Sequence, residues 1–147
     1  MAKRALKPTE HQEQAAVVEW FQSYARTKGI DPRLLIAIPN SQILMGSARN
    51  KHAVMAYLRA EGFADAAPDL LLAWPKPMIW YGGGTAGISI SGNFVFCGLF
   101  LEMKRKGGKP SKDQLFMADL LRRAGYSVVI AYGADEASRA IKAYIET

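Results

Sequence analysis

Three residues at the ends of two apolar runs are of types that suit chemistry better than packing. Glu102 and Lys104 close the run FVFCGLFLEMK, and Asp69 follows Pro68 at the head of PDLLLAW. A strand sends alternate side chains to opposite faces, so Phe100, Glu102 and Lys104 share one face while Leu99, Leu101 and Met103 share the other. Burying a carboxylate and an ammonium there is costly unless they pair with each other or meet a metal ion or ligand. If the two strands are sheet neighbours, Asp69 and Glu102 converge on one point, and their repulsion raises a pKa unless a cation sits between them. Oxygen ligands of this kind suit Mg²⁺ or Mn²⁺. Taken singly the features have plainer explanations: E-x-K as a structural ion pair at a strand end, and Pro-Asp as a common strand start or turn.

A third carboxylate can be sought on the first helix. Glu10 and Glu13 fall on the same helical stripe as Val17, Trp20 and Tyr24, whereas Glu19 points away. Acids in a first turn ordinarily favour the helix dipole, and Glu13 lies deeper than that role prefers. Basic residues flank the charged strand end. Arg105, Lys106, Lys109 and Lys112 follow it, and Arg49 and Lys51 stand at the head of another helix. They form either a solvated face or a set of phosphate contacts that read little sequence. Gly107 and Gly108 form a turn or let the backbone approach a phosphate closely. Ser111 to Gln114 is an S-x-x-Q capping box, so Gln114 closes a helix start whatever else it does.

The elements that must position these residues can be read along the chain. Residues 1–8 form a basic arm. TEHQEQAAVVEWFQSYART is a helix, with Thr9 and Gln12 in capping-box spacing and an end near Gly29. Leu34–Asn40 is a short buried strand, and SARNKHAVMAYLRAEG is a second helix with Ser47 as start and Gly62 as stop. PDLLLAW is a strand, and Phe94–Lys104 reads as one longer strand. Between them, at about residues 75–93, lies a glycine-rich insertion in which MIWY and GISIS pair as a protruding hairpin. SKDQLFMADLLRRAG is a helix, YSVVIAY a strand and ADEASRAIKAYIE a closing helix. The order is α-β-α-β-(hairpin)-β-α-β-α. The strands are too uniformly apolar to leave one face in water, which predicts an α/β fold with a central sheet flanked by helices on both sides.

Composition sets the outer limits. A chain of 147 residues suits a single domain, and 50% hydrophobic with 22% charged residues argues against disorder. A net charge of +6 favours a polyanionic partner. Cys97 is the single cysteine, which excludes an internal disulfide and a multi-cysteine zinc site; in FVFCGLF it reads as a small apolar side chain. His11 and His52 form no two-histidine metal motif. No apolar run follows the basic N-terminal residues and no stretch suits a membrane span, so a cytoplasmic protein is expected.

Asp69 in PD, then Glu102 and Lys104 in E-x-K, preceded by a glutamate on a helix, resemble the PD-(D/E)XK nucleases. The arrangement looks most like the VRR-NUC branch found in phage and in DNA-repair proteins. Five blocks in order carry the resemblance across nearly the whole chain: TEHQEQAAVVEWF, AIPN, LRAEGFADAAPDLLLA, GLFLEMKRKGGKPSKDQ and LLRRAGYSVVIAYGADEASRAI. It implies a restriction-endonuclease-like core with a central mixed sheet. It further implies that Asp69, Glu102 and the backbone carbonyl of Met103 bind Mg²⁺ or Mn²⁺ and that Lys104 orients the attacking water and steadies the phosphate. Glu13 matches the helix-one glutamate, a catalytic acid and candidate further metal ligand, and Gln114 the catalytic glutamine after the lysine block; the same stripe leaves Glu10 as the other candidate acid.

The activity so implied is metal-dependent hydrolysis of DNA phosphodiesters by a structure-selective endonuclease, with branched DNA such as a four-way junction as substrate. Single-domain members resemble junction resolvases in being homodimers, and Trp80, Tyr81 and Ile88 on the insertion offer apolar side chains for a twofold mate. A phage protein acting in the host cell, or a protein of the bacterial cytoplasm, follows. The competing class is a basic nucleic-acid-binding module without catalysis, its carboxylates held in structural ion pairs.

Overall fold

Two local patterns seed the helices that carry the site. In a computed structural model, which describes residues 7–39, 46, 49–80 and 89–147, helix α1 spans Glu10–Thr27 and opens on Thr9. The Thr9 hydroxyl accepts from the Gln12 N–H at 3.2 Å while the Gln12 amide oxygen accepts from the Thr9 N–H at 2.9 Å, which is the predicted capping box. The helix stops where expected. Gly29 takes a φ of 69°, and the Ile30 N–H returns to the Ala25 carbonyl at 2.9 Å. The helix at Lys112–Arg123, here α3, opens on the second capping box at Ser111.

Helix α2, Lys51–Ala60, starts three residues later than the Ser47 signal predicts. Asn50 is the cap, its side-chain oxygen accepting from the Ala53 N–H at 3.1 Å. Ser47, residues 1–6 of the basic arm, Asn40 at the predicted strand end, and Tyr81 and Ile88 of the predicted insertion lie outside the described residues.

Strands β1 (Leu35–Ala37), β2 (Leu70–Leu72), β5 (Leu99–Lys104) and β6 (Ser127–Tyr132) form one sheet in the order β1-β2-β5-β6. The first two pairings are antiparallel and the last is parallel, so the sheet is mixed. A parallel pair needs a crossover, and α3 supplies it between β5 and β6. The expected strand at Leu34–Asn40 is shorter because Pro32–Leu34 forms a single 3-10 turn.

The insertion is a separate two-stranded ribbon of β3 (Lys76–Trp80) and β4 (Ser89–Phe96), with Ile79 opposite Ile90 and Trp80 opposite Ser89. The continuous strand expected over Phe94–Lys104 is therefore two strands. The break falls at Gly98, which passes so close to β2 that a Cβ there would sit 2.8 Å from the Leu72 carbonyl oxygen. At that point the chain leaves β3 and joins the main sheet.

Both sheet faces are covered by helices, as the uniform hydrophobicity of the strands requires. Val17 and Phe21 of α1, with Ala137 and Ile141 of the closing helix α4 (Ala134–Glu146), bury Leu70, Leu72, Leu99, Leu101 and Met103. On the other face α3 brings Ala118 and Leu121 over Phe100 and Val128. Among the described residues no helix is long and apolar enough to cross a membrane.

Candidate active site

Sheet register brings the two carboxylates together. Leu70 lies opposite Leu101 in an antiparallel pair, so the next step of the ladder sets Asp69 opposite Glu102, and side chains directly opposite share a face. The Asp69 carbonyl accepts from the Ile38 N–H at 2.8 Å, which keeps this residue in line with the sheet although it lies one residue before β2. Its side chain turns to β5 and accepts the Met103 N–H on Oδ2 at 2.7 Å. In a strand the N–H and C=O of one residue point the same way, so the Met103 carbonyl also looks past the end of β2. Pro68 follows on that side and has no N–H to offer it.

Glu102 is 4% exposed and Lys104 8%, and they form an ion pair at 2.5 Å from Nζ to Oε1. The amide of Gln114 donates to the same Oε1 at 2.6 Å. Its orientation is set by its own helix: the amide oxygen accepts the Ser111 N–H at 2.9 Å, which leaves the NH₂ for Glu102. Gln114 thus closes the start of α3 and holds Glu102 at once. Among the described residues Glu102 Oε2 receives no hydrogen bond.

Burial sets the electrostatics. Desolvation pushes the Glu102 carboxyl above its ordinary range; the Lys104 hydrogen bond opposes this and the neighbouring Asp69 adds to it. Asp69 is also raised, first by desolvation, against the pull of the Met103 N–H and Lys104 and with a further push from Glu10. Burial alone would lower Lys104, but Glu102, Glu10 and Asp69 together outweigh it and hold the ammonium above its ordinary value. Burial thus works against the charge of both carboxylates, while their nearness supports the charge of the lysine.

The two glutamates of α1 part company here. Glu10 accepts the Arg105 N–H on Oε1 at 3.3 Å, just past the end of β5, and is the α1 acid whose charge reaches Asp69, Glu102 and Lys104. Glu13, the residue matched to the helix-one acid, accepts the Ala134 N–H on Oε2 at 2.8 Å and so faces the start of α4. Both line a cleft of about 850 Å³ with Lys7, Arg105 and Lys106. Lys7 is an addition to the basic residues singled out from sequence; its place in the basic arm was the available signal. Lys109 is exposed on the loop to α3, and Lys112 is the first residue of that helix, two before Gln114. Arg49 and Lys51 are exposed at the head of α2 and do not line this cleft.

Among the described residues no group of three or more histidine, cysteine, aspartate or glutamate side chains is placed to hold a metal ion. The donor set at the strand ends is two carboxylates and one main-chain carbonyl, all hard oxygens. That composition fits Mg²⁺ or Mn²⁺, which rely on one or two carboxylates with water and substrate oxygens completing the shell. The desolvated, mutually repelling carboxylates also fit a cation between them.

No family model and no curated protein sequence matches this chain. A solved structure described as a VRR_NUC domain protein superposes on it with a TM-score of 0.69, covering 96% of this chain and 91% of that one at 20% identity. At that identity the likeness is one of fold, and this chain has the fold of a VRR_NUC domain.

Proposed function

We propose that this chain is a nuclease of the VRR-NUC type that hydrolyses DNA phosphodiester bonds with the help of Mg²⁺ or Mn²⁺. The observation that carries the proposal is the meeting of Asp69, Glu102 and Lys104 at the shared end of β2 and β5, with Glu102 and Lys104 buried and Glu102 linked to α3 through Gln114. Asp69, Glu102 and the Met103 carbonyl would hold the metal, which when bound supplies a Lewis acid for the phosphate and a water of lowered pKa. Lys104 faces the phosphate and offsets the charge that gathers on its oxygens. Gln114 donates to the same oxygen of Glu102 as Lys104 and helps hold that carboxylate in place. Arg105, Lys106, Lys109 and Lys112, with Arg49 and Lys51 further off, contact backbone phosphates and make binding steeply dependent on salt.

The substrate we favour is branched DNA cut internally, such as a four-way junction, acted on by a homodimer with one site per strand. Support for a second copy comes from α3, where Leu115 is 48%, Phe116 64% and Leu120 41% exposed. Sedimentation giving a monomer at micromolar concentration would count against it. The test of activity is incubation of labelled four-way, flap and linear DNAs with Mn²⁺ or Mg²⁺. Cleavage by the wild-type protein and none by Glu102→Ala is expected.

The Glu102–Lys104 ion pair at 2.5 Å favours a second reading, a basic DNA-binding module in which these charges only support one another. Mn²⁺ binding separates the two. A nuclease binds the ion and loses it with Asp69→Ala, whereas a binding module takes up none.

A further inference from the structure

Helix α4 begins without a cap of its own. Gly133 occupies the cap position, and no side chain within the helix bonds its first turn. A helix start leaves backbone N–H groups without partners, and one that is partly buried needs an acceptor from elsewhere. Glu13 provides it across 121 residues of sequence, its Oε2 accepting the Ala134 N–H at 2.8 Å. The same corner is tied to the strand that bears the reactive groups, because the Gly133 N–H donates to the Lys104 carbonyl at 2.9 Å. Gly133 has a φ of 97°, and a Cβ there would lie 3.5 Å from the Glu13 carboxylate, so the carboxylate packs directly against the turn.

We infer that Glu13 is a positioning residue: it caps α4 from α1 and through Gly133 fixes the main chain of Lys104, while Glu10 is the α1 carboxylate that faces the reactive groups. The inference rests on the nuclease proposal for its functional consequence but not for its structural one. A carboxylate at a helix N-terminus gains from both the hydrogen bond and the helix dipole. Its amide analogue keeps the acceptor oxygen and loses only the charge. A metal ligand behaves in the opposite way, because a neutral amide is a poor substitute for a carboxylate on a hard cation.

Glu13→Gln and Glu13→Ala therefore decide the matter, each measured for thermal unfolding in EDTA, Mn²⁺ affinity by calorimetry and cleavage kinetics. In metal-free protein Glu13→Ala is expected to lower the unfolding midpoint by about 3 °C and Glu13→Gln by about 1 °C. Mn²⁺ affinity stays within about twofold in Glu13→Gln, and cleavage shows a lowered kcat with unchanged KM in Glu13→Ala that Glu13→Gln restores. If Glu13→Ala fails to fold, the Glu13→Gln measurements alone decide. A loss of Mn²⁺ affinity of about tenfold or more in Glu13→Gln, or a metal-free midpoint unmoved by Glu13→Ala, overturns the assignment. If wild-type protein binds no Mn²⁺, the nuclease proposal fails, and the metal-free midpoints still test the cap.

Discussion

The two faces of the central sheet bury different things. Against α1 and α4 the strands present Leu70, Leu72, Leu99, Leu101 and Met103, each no more than 1% exposed, in a continuous apolar layer. On the α3 side the buried apolar set is Phe100, Ala118 and Val128, and beyond Phe100 the same strand buries Glu102 and Lys104 instead. Ile36, Leu115, Phe116 and Leu120 are left open to solvent on or beside that face. One face supplies the stability that the other spends on keeping charges out of water. Proteins often hold such an imbalance where chemistry is done.

Substitutions should break this contrast in opposite ways. The largest effect is expected at the charged end: Asp69→Ala, Glu102→Ala or Lys104→Ala lowers the cleavage rate by about a thousandfold or more, with DNA binding retained. Steady-state cleavage beside a gel-shift titration measures both, and wild-type turnover by any of the three would sink the site. On the apolar face Phe21→Ala, at a fully buried position, should cost about 4 kcal/mol in denaturant unfolding. A loss under about 1 kcal/mol there would mean that α1 is not the main cover of the sheet.

Gln114 joins the two concerns within one side chain. Gln114→Glu preserves the capping box with Ser111 but sets a carboxylate against Glu102 Oε1, so cleavage should fall roughly tenfold with the unfolding midpoint nearly unchanged. Equal loss of both would show that the helix start, and not the contact with Glu102, is what Gln114 provides.

The smallest effect concerns the cost of the charged end. Asp69→Asn keeps an oxygen for the Met103 N–H and removes a carboxylate held above its ordinary pKa by burial. In metal-free protein it should therefore stabilise, by roughly 0.5–1 kcal/mol at neutral pH. The sign follows from linkage. A carboxyl raised in the folded state binds its proton more tightly there, so its ionisation opposes folding and wild-type stability falls as pH rises through the interval above the ordinary carboxylate range of about 4. The advantage of Asp69→Asn should vanish near pH 4 and grow toward neutrality, and chemical denaturation across that range in EDTA measures it. An advantage that grows on acidification would contradict the raised carboxyl.

Much of this arrangement was legible in the residues because it is local. The Thr9–Gln12 and Ser111–Gln114 boxes, the stop at Gly29, the hairpin pairing on either side of the glycine-rich stretch and the shared face of Phe100, Glu102 and Lys104 depend on spacing alone. The start of α2 at Asn50 was less so, because Ser47 and Asn50 are both good caps. The break at Gly98 had only the glycine itself as a local signal. It arises from the approach of the Leu72 carbonyl, which belongs to a different strand.

By itself the sequence determined the order of helices and strands and the presence of an acid-and-lysine strand end, since side-chain alternation and helix capping act over a few residues. Only the tertiary structure decided which groups meet. Asp69 stands opposite Glu102 because β2 pairs with β5 in one particular register, and a shift by a single residue would turn it to the other face. Glu10 and Glu13 occupy one stripe of one helix, and the stripe does not decide which of them meets the strand end. Packing sets one beside Arg105 and the other beneath the first turn of α4.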